Sequence, residues 1–308
     1  MENARDIFMA CDSDFDGADI VLFSAPFDGT TSFRPGARFA GGEIRRASYG
    51  IETYSPYQNR DLGDLKIFDA GELELPFGNA TGVLEIIEAQ TAEFLSPWTS
   101  NSHMLPNPNP NANPNVTDAS FPPAKKTPVL IGGEHLISLG AIRAAAKKFP
   151  DLHILHFDAH ADLRDDYLGE KNSHATVMRR AWEIVGDNKI FQLGIRSGDT
   201  DEFAFAAAHT VMHKFDLCEM EAVVDALQGK PVYFSLDLDV LDPSVLPGTG
   251  TPEPGGVSFS ELHDAILLLK DLNIVAADIV ELAPNYDTSG VSTVTACKII
   301  REILMTLM

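Results

Sequence analysis

The chain has 308 residues, of which 44% are apolar and 22% charged, and its formal charge at pH 7 is −22. These values exclude a disordered chain and allow one large α/β domain or two ordinary ones. The acidic excess argues against a nucleic-acid or anionic-lipid partner, because no basic field is present, and it suits cationic ligands or metal ions.

The cysteines and the N-terminus indicate the compartment. Cys11, Cys218 and Cys297 are odd in number, far apart and without CxxC spacing, so a disulfide framework or thiolate zinc site is not expected. Residues 1–6 do not begin a secretory signal, and no apolar run approaches the ~18 residues of a membrane span. We expect a cytoplasmic protein with no membrane partner.

Short apolar runs alternate with helical periodicity along the chain. The predicted strands are Ile20–Ser24, Pro128–Ile131, Leu152–Phe157, Ile190–Ile195, Val232–Leu236 and Ile274–Glu281. The predicted helices are Leu84–Phe94, Leu139–Lys148, Ala175–Val185 and Ser260–Leu269. This alternation predicts an α/β fold with a mostly parallel central sheet and helices on both faces. Functional residues of such sheets gather outside the carboxyl ends of the strands.

Residues 96–127 break the alternation. Between residues 106 and 115 proline recurs among asparagines, and proline denies the backbone both helix and ladder hydrogen bonds. We expect an exposed, flexible loop inserted between a helix and a strand. It does not divide the chain, so residues 1–308 are predicted to form a single domain.

Three polar clusters each follow a predicted strand. They cover residues 132–135 (Gly-Gly-Glu-His), 156–162 (His-Phe-Asp-Ala-His-Ala-Asp) and 235–243 (Ser-Leu-Asp-Leu-Asp-Val-Leu-Asp-Pro). In an extended segment, side chains two residues apart face the same side. We therefore expect six side chains to converge where the sheet opens to solvent. These are His135, Asp158, His160, Asp162, Asp237 and Asp239.

The crowding of four carboxylates predicts a bound divalent cation, because like charges raise one another's pKa unless a cation neutralises them. Six candidate ligands exceed the three of a typical catalytic zinc and fit a two-metal site with bridging carboxylates. An oxygen-rich set with two imidazoles favours Mn²⁺ or a similar ion. Two ions ~3.5–4 Å apart would activate water near neutral pH.

These clusters, with residues 248–256 (GTGTPEPGG), resemble the ureohydrolases, the family of arginases and agmatinases. The resemblance runs from residues 26–39 (PFDGTTSFRPGARF) through 278–281 (DIVE) to the C-terminal helix, and leaves out 96–124. The SFRPGARF and PGTGTPEPGG blocks are more similar to agmatinases than to arginases. The resemblance implies a three-layer arginase-like fold and a homo-oligomer, a trimer or hexamer.

The resemblance also implies two Mn²⁺ per subunit. One would be bound by His135, Asp158, Asp162 and Asp237, and the other by Asp158, His160, Asp237 and Asp239. Glu281 would bind the substrate guanidinium, His174 would contact the substrate and shuttle protons, and Asp162 would pass a proton to the leaving amine. The residue after His174 is alanine, where the family more often has glycine.

The expected reaction is hydrolysis of a small cationic guanidino compound, with agmatine, giving putrescine and urea, as the first candidate. Agmatine is a dication, which suits the acidic chain. Arginine, guanidinobutyrate and formiminoglutamate stay open, because Arg164 and Lys171 could bind a substrate carboxylate. An alternative of another class is a catalytically silent metal-binding scaffold that displays the Asn-Pro loop.

Overall fold

The computed structural model describes residues 6–96 and 126–308, so the predicted inserted loop lies almost wholly outside the described residues. Within that part, eight strands form one sheet in which every pairing is parallel, and a short antiparallel hairpin lies apart. The strands are β1 (Ile20–Ser24), β2 (Tyr54–Ser55), β3 (Arg60–Asp61), β4 (Ile67–Glu72), β5 (Thr127–Ile131), β6 (His153–Phe157), β7 (Ile190–Ile195), β8 (Val211–Lys214), β9 (Pro231–Asp237) and β10 (Asn273–Val280). The order across the sheet is β4-β1-β5-β10-β9-β6-β7-β8.

Helices cover both faces of this sheet, as predicted. They are α1 (Ala40–Ser48), α2 (Ala80–Leu95), α3 (Ser138–Lys148), α4 (Val177–Val185), α5 (Thr200–His209), α6 (Met220–Leu227), α7 (Phe259–Leu267) and α8 (Val291–Thr306). Helices α2, α3 and α4 pack on one face, and α1, α6, α7 and α8 on the other. Within the described ranges, no helix has the length and apolarity to cross a bilayer.

The core lies in two layers, one on each side of the sheet. In β1, Ile20 and Leu22 pack into one layer, whereas Val21 and Phe23 pack into the other. A strand buried on both faces has apolar residues at every position, which is why the sequence predicted β1 with its correct bounds. The sequence missed β4 and β8 because they are the two edge strands and carry half-buried or exposed polar residues.

Candidate active site

The four central strands of the sheet carry the predicted site. His135 follows β5, Glu281 follows β10, Asp237 ends β9, and the cluster 158–162 follows β6. These strands are adjacent and parallel, so their carboxyl ends meet at one edge. The structure therefore brings the predicted side chains together.

The local backbone differs from the extended segment that the sequence predicted. β6 ends at Phe157, and Asp162 has a left-handed φ of +53°, which is uncommon for a residue with a side chain. The Asp162 carbonyl accepts hydrogen bonds from the N–H groups of Met178 and Arg179, which begin α4. Tertiary hydrogen bonds, rather than strand alternation, turn Asp162 toward the site.

A chain of hydrogen bonds fixes the tautomer of His135. Tyr233 and Ser235 donate to the two oxygens of the buried Asp278 carboxylate, at 2.6 and 2.8 Å. Because the Ser235 proton points at Asp278, the Ser235 oxygen, 2.9 Å from His135 Nε2, accepts a hydrogen bond from that nitrogen. The neutral ring therefore carries its proton on Nε2 and a lone pair on Nδ1.

His135 Nδ1 faces carboxylates without a hydrogen bond. It lies 3.0, 3.1 and 3.3 Å from oxygens of Asp158, Asp162 and Asp237, but none has hydrogen-bond geometry to it. Burial disfavours the charged form of His135, but the three carboxylates outweigh it and raise its pKa well above the usual value, so Nδ1 favours a bound proton or, in its place, a metal ion. The donor set of one imidazole and three carboxylates thus fits a divalent metal such as Mn²⁺.

A second group of ligand atoms surrounds His160. Its Nδ1 lies 3.0 Å from Asp239 and 3.5 Å from Asp158, and the three residues form one of two groups with metal-binding spacing among residues 6–96 and 126–308. The other group comprises His135, His156 and Asp158. His156 is fully buried, its Nε2 lies 2.8 Å from Asp158, and its Nδ1 lies 3.2 Å from the Gln192 amide. We interpret His156 as the residue that orients Asp158 rather than as a ligand.

The electrostatics of the metal-free site show mutual repulsion. Burial and the neighbouring Asp158 carboxylate raise the pKa of Asp162 to about 7. Burial, Asp239 and Asp158 raise the pKa of Asp237 well above its usual value. Burial also disfavours the charged form of Asp158, but the three neighbouring histidines, His135, His156 and His160, outweigh it and hold its pKa well below its usual value. Divalent cations would relieve this repulsion.

Glu281 lies beside the proposed metal ligand His135, and its backbone adopts a left-handed conformation that is uncommon for a residue with a side chain. Its φ is +64°, and its N–H donates to the Gly133 carbonyl at 3.0 Å. Gly133 itself has a φ of +85°, and a Cβ there would lie 2.5 Å from the Ala25 carbonyl, so only glycine fits. One Glu281 oxygen accepts the His135 N–H at 2.7 Å. The other oxygen stays available at the pocket, whose wall includes Glu281.

His174 lies on the opposite side of the pocket, in contact with the loop that follows β1. Its N–H donates to Thr30 Oγ1 at 3.1 Å, and its Nε2 lies 3.2 Å from Ser32 Oγ. Thr30 is bound in turn by the buried Glu134 carboxylate. Burial, and then the positive charge of His160, lower the pKa of His174 to about 4, so its ring is neutral near pH 7.

The site opens into a cavity of about 230 Å³. Arg164 lies in its wall, 3.0 Å from Asp199 and 3.4 Å from Glu202, with its guanidinium 5.1 Å from the Tyr167 ring centre. Tyr167 also meets the His174 ring edge-on at 5.6 Å. Two carboxylates thus balance the charge of Arg164, the one arginine or lysine in the described pocket wall.

Comparison with known proteins decides the family. The sequence model of the arginase family matches residues 18–306. The chain belongs to the arginase family. The agmatinase of Bacillus subtilis (strain 168) is 42% identical over 303 residues, which cover 97% of this chain and 95% of that protein. A guanidinobutyrase of Pseudomonas aeruginosa is 31% identical, with 96% of this chain and 88% of that protein covered.

A solved structure gives the same result. The crystal structure of the agmatine ureohydrolase of Thermoplasma volcanium superposes with a TM-score of 0.82 at 29% identity, covering 99% of this chain and 94% of that one. The predicted three-layer α/β fold and the resemblance to ureohydrolases are therefore confirmed. The chain is an arginase-family hydrolase.

Sequence reasoning missed four residues that shape this arginase-family site. His156 is named only within the cluster 156–162, although it precedes Asp158 by two positions and shares its spacing in the motif. Ser235 was noted only as the start of its cluster, and Asp278 only within the Asp-Ile-Val-Glu motif. Thr30 was noted only within residues 26–39. No local pattern distinguishes Thr30, Ser235 or Asp278, because their partners lie far away in the chain.

Proposed function

We propose that the chain hydrolyses agmatine to putrescine and urea at a centre of two Mn²⁺. The observation that carries the proposal is the buried His135 Nδ1, whose lone pair faces three carboxylates without a hydrogen bond. This arrangement favours a bound cation, and the similarity to agmatinases over nearly the whole chain supports the substrate.

Six residues are proposed as metal ligands. His135, Asp158, Asp162 and Asp237 would hold one ion, and Asp158, His160, Asp237 and Asp239 the other. Two of these proposed ligands are already held by backbone hydrogen bonds. Asp239 accepts the Ala159 N–H at 3.1 Å, and Asp237 accepts the Asp239 N–H at 2.8 Å. Such support holds carboxylates in place before the metal binds.

The reaction needs an activated water, a fixed guanidinium and a protonated leaving group. When bound, the Mn²⁺ ions supply the positive charge that makes water nucleophilic near neutral pH. The free Glu281 oxygen would bind the guanidinium in a charge-assisted pair and place its carbon at the centre. The neutral His174 would contact the substrate and shuttle protons, and Asp162 would pass a proton to the departing amine.

The pocket charge supports a substrate with a cationic tail. Asp199 and Glu202 contact Arg164, so its charge is already balanced before a substrate binds. A second candidate is 4-guanidinobutyrate, because the Arg164 guanidinium lines the pocket and a guanidinobutyrase is among the relatives. The two candidates differ in the charge of the tail that would lie near Arg164.

A substrate panel tests the proposal. We expect the Mn²⁺-loaded protein to release urea fastest from agmatine, with arginine and 4-guanidinobutyrate slower, and no formamide from formiminoglutamate. The Glu281→Gln variant, which keeps the side-chain shape, is the matched control for contaminating activity. Faster release from 4-guanidinobutyrate would select the second candidate. No product from any substrate would favour the silent scaffold.

We further propose a cytoplasmic homo-oligomer, a trimer or hexamer, that acts on a small molecule and binds no nucleic acid. The free thiols of all three cysteines fit a reducing compartment, and the charge of −22 is unfavourable for nucleic acid. Light scattering coupled to size-exclusion chromatography tests the assembly, and elemental analysis of purified protein tests the metal and its number per chain.

A further inference from the structure

Glu134 lies next to a proposed metal ligand but points away from the centre, into the loop after β1. It is fully buried, and its oxygens accept three donors from two threonines. The Thr30 N–H donates to Oε2 at 2.9 Å, the Thr30 hydroxyl to Oε1 at 2.5 Å, and the Thr31 hydroxyl to Oε2 at 3.0 Å. A carboxylate can only accept hydrogen bonds, so in each of these contacts the threonine is the donor and its proton points at Glu134.

Because the Thr30 hydroxyl donates its proton to Glu134, it restricts the hydrogen bonds that Thr30 can make with His174. A hydroxyl has one proton, so the Thr30 oxygen can only accept from its other neighbours. It accepts the His174 backbone N–H at 3.1 Å, and it lies 3.4 Å from His174 Nδ1. A neutral imidazole contacts an accepting oxygen favourably only through its protonated nitrogen. Thr30 therefore favours the tautomer with hydrogen on Nδ1.

The other hydroxyls around the ring do not oppose this choice. Ser173 Oγ lies 3.3 Å from His174 Nδ1 and accepts the Ala175 N–H at 3.4 Å. Ser32 Oγ lies 3.2 Å from His174 Nε2. In the described contacts neither serine proton is bound by a carboxylate, so each can rotate to suit either tautomer. Thr30 is the neighbour whose proton is fixed.

We propose that Glu134 and Thr30 are positioning residues that hold the neutral His174 with its proton on Nδ1 and a lone pair on Nε2. This inference rests on the proposed function of the pocket, whose wall includes both His174 and Ser32. With Nε2 unprotonated, His174 presents a proton acceptor to the substrate in the resting enzyme. The order of action follows: His174 first accepts a proton and only then donates one.

Glu134→Gln tests the proposal because it is expected to reverse the Thr30 hydroxyl and so change the tautomer of His174. The shorter contact of the Thr30 N–H is to the Oε2 position, so the amide oxygen is expected there and the amide NH₂ at the Oε1 position. An NH₂ group facing the Thr30 hydroxyl reverses it, because both cannot donate to each other. The Thr30 proton then points at His174 Nδ1, and the ring proton moves to Nε2.

The tautomer is read from the ¹⁵N spectrum of histidine-labelled full-length protein, freed of paramagnetic ions. The spectrum is recorded at about pH 9, where a carboxyl group is ionised. The signals of His174 are identified by their loss in His174→Gln. We expect hydrogen on Nδ1 in the wild type and Thr30→Ser, and on Nε2 in Glu134→Gln. Hydrogen on Nε2 in the wild type, or an unchanged tautomer in Glu134→Gln, would overturn the proposal.

Kinetics give the second readout. In Glu134→Gln and Thr30→Val, kcat is expected to fall by about 10- to 100-fold, with KM and bound metal within about twofold of wild type. Thr30→Ser restores the hydroxyl and should restore kcat, whereas a structural defect would not follow the hydroxyl. Thr31→Val removes a donor to Glu134 that does not contact His174, so the tautomer should persist. If the wild type lacks guanidine hydrolysis, the proposed function fails, while the spectrum still decides the tautomer.

Discussion

Asp278→Asn is the sharpest test of the proposed metal centre, because it alters His135 without touching it. Asp278 accepts from both Tyr233 and Ser235, and an asparagine offers one oxygen and one NH₂ group. When the NH₂ faces Ser235, the serine hydroxyl reverses and donates to His135 Nε2. The imidazole proton then moves to Nδ1, where it points at three carboxylates and blocks the metal.

The amide introduced by Asp278→Asn can take two orientations, and these set the expected loss of stability and of Mn²⁺ affinity. In the opposite orientation, the buried Tyr233 hydroxyl loses its acceptor, which costs about 1–3 kcal/mol. Neither orientation keeps the wild-type arrangement. Loss of a residue that orients a metal ligand typically lowers metal affinity by about 10- to 100-fold. This corresponds to about 1.4–2.7 kcal/mol of binding free energy.

The measurement is calorimetric titration of the metal-free full chain with Mn²⁺. Tyr233→Phe is the matched control, because it removes the other donor to Asp278 but leaves the bond between Ser235 and His135 intact. We expect Mn²⁺ affinity to fall in Asp278→Asn and to stay within about threefold of wild type in Tyr233→Phe. Thermal melting of the metal-free variants separates a general loss of stability. Unchanged Mn²⁺ affinity together with an unchanged melting temperature in Asp278→Asn would refute the tautomer argument, because each orientation of the new amide predicts the loss of one of them.

Three further predictions concern other parts of the chain. Glu281→Gln should lower kcat for agmatine by at least about 100-fold while elemental analysis finds the metal unchanged; metal loss would mean that Glu281 is a ligand. The raised pKa of Asp162, about 7 against 3.8, stabilises the metal-free fold fully below about pH 4, and this stabilisation is lost as pH rises through 7. The melting temperature of metal-free wild type should therefore fall more between about pH 6 and pH 8 than that of Asp162→Asn, and equal slopes would contradict this. Iodoacetamide should alkylate the exposed Cys218 in the native protein, whereas the buried Cys11 and Cys297 react only after denaturation, as mass spectrometry would show.

The interior strands of the sheet were predictable because burial on both faces leaves an uninterrupted apolar run. β1 and β7 were predicted with their observed bounds, and β10 within one residue at each end. The edge strands β4 and β8 carry no such run, because their outer sides meet polar surroundings. Their place in the sheet depends on pairing with distant strands, which a local pattern does not contain.

The candidate site was likewise predictable from the sequence only in part. The motifs identified the ligand types because carboxylates and imidazoles two residues apart after buried strands are recognisable along the chain. They predicted the convergence but gave the wrong local reason at Asp162, whose φ of +53° is set by hydrogen bonds to α4. Side-chain direction after a strand ends depends on contacts that the strand period does not describe.

The amino-acid sequence by itself determined the chemistry of this protein: the acidic charge, the parallel sheet, the candidate metal ligands and the resemblance to ureohydrolases. Only the tertiary structure supplies the contacts from which we infer the tautomers of His135 and His174. The choice of tautomer depends on acceptors outside the histidine's own segment of the chain: Asp278, through Ser235, for His135, and Glu134, through Thr30, for His174. A tautomer is set by the direction of a neighbour's proton, and such directions exist only once distant parts of the chain are packed together.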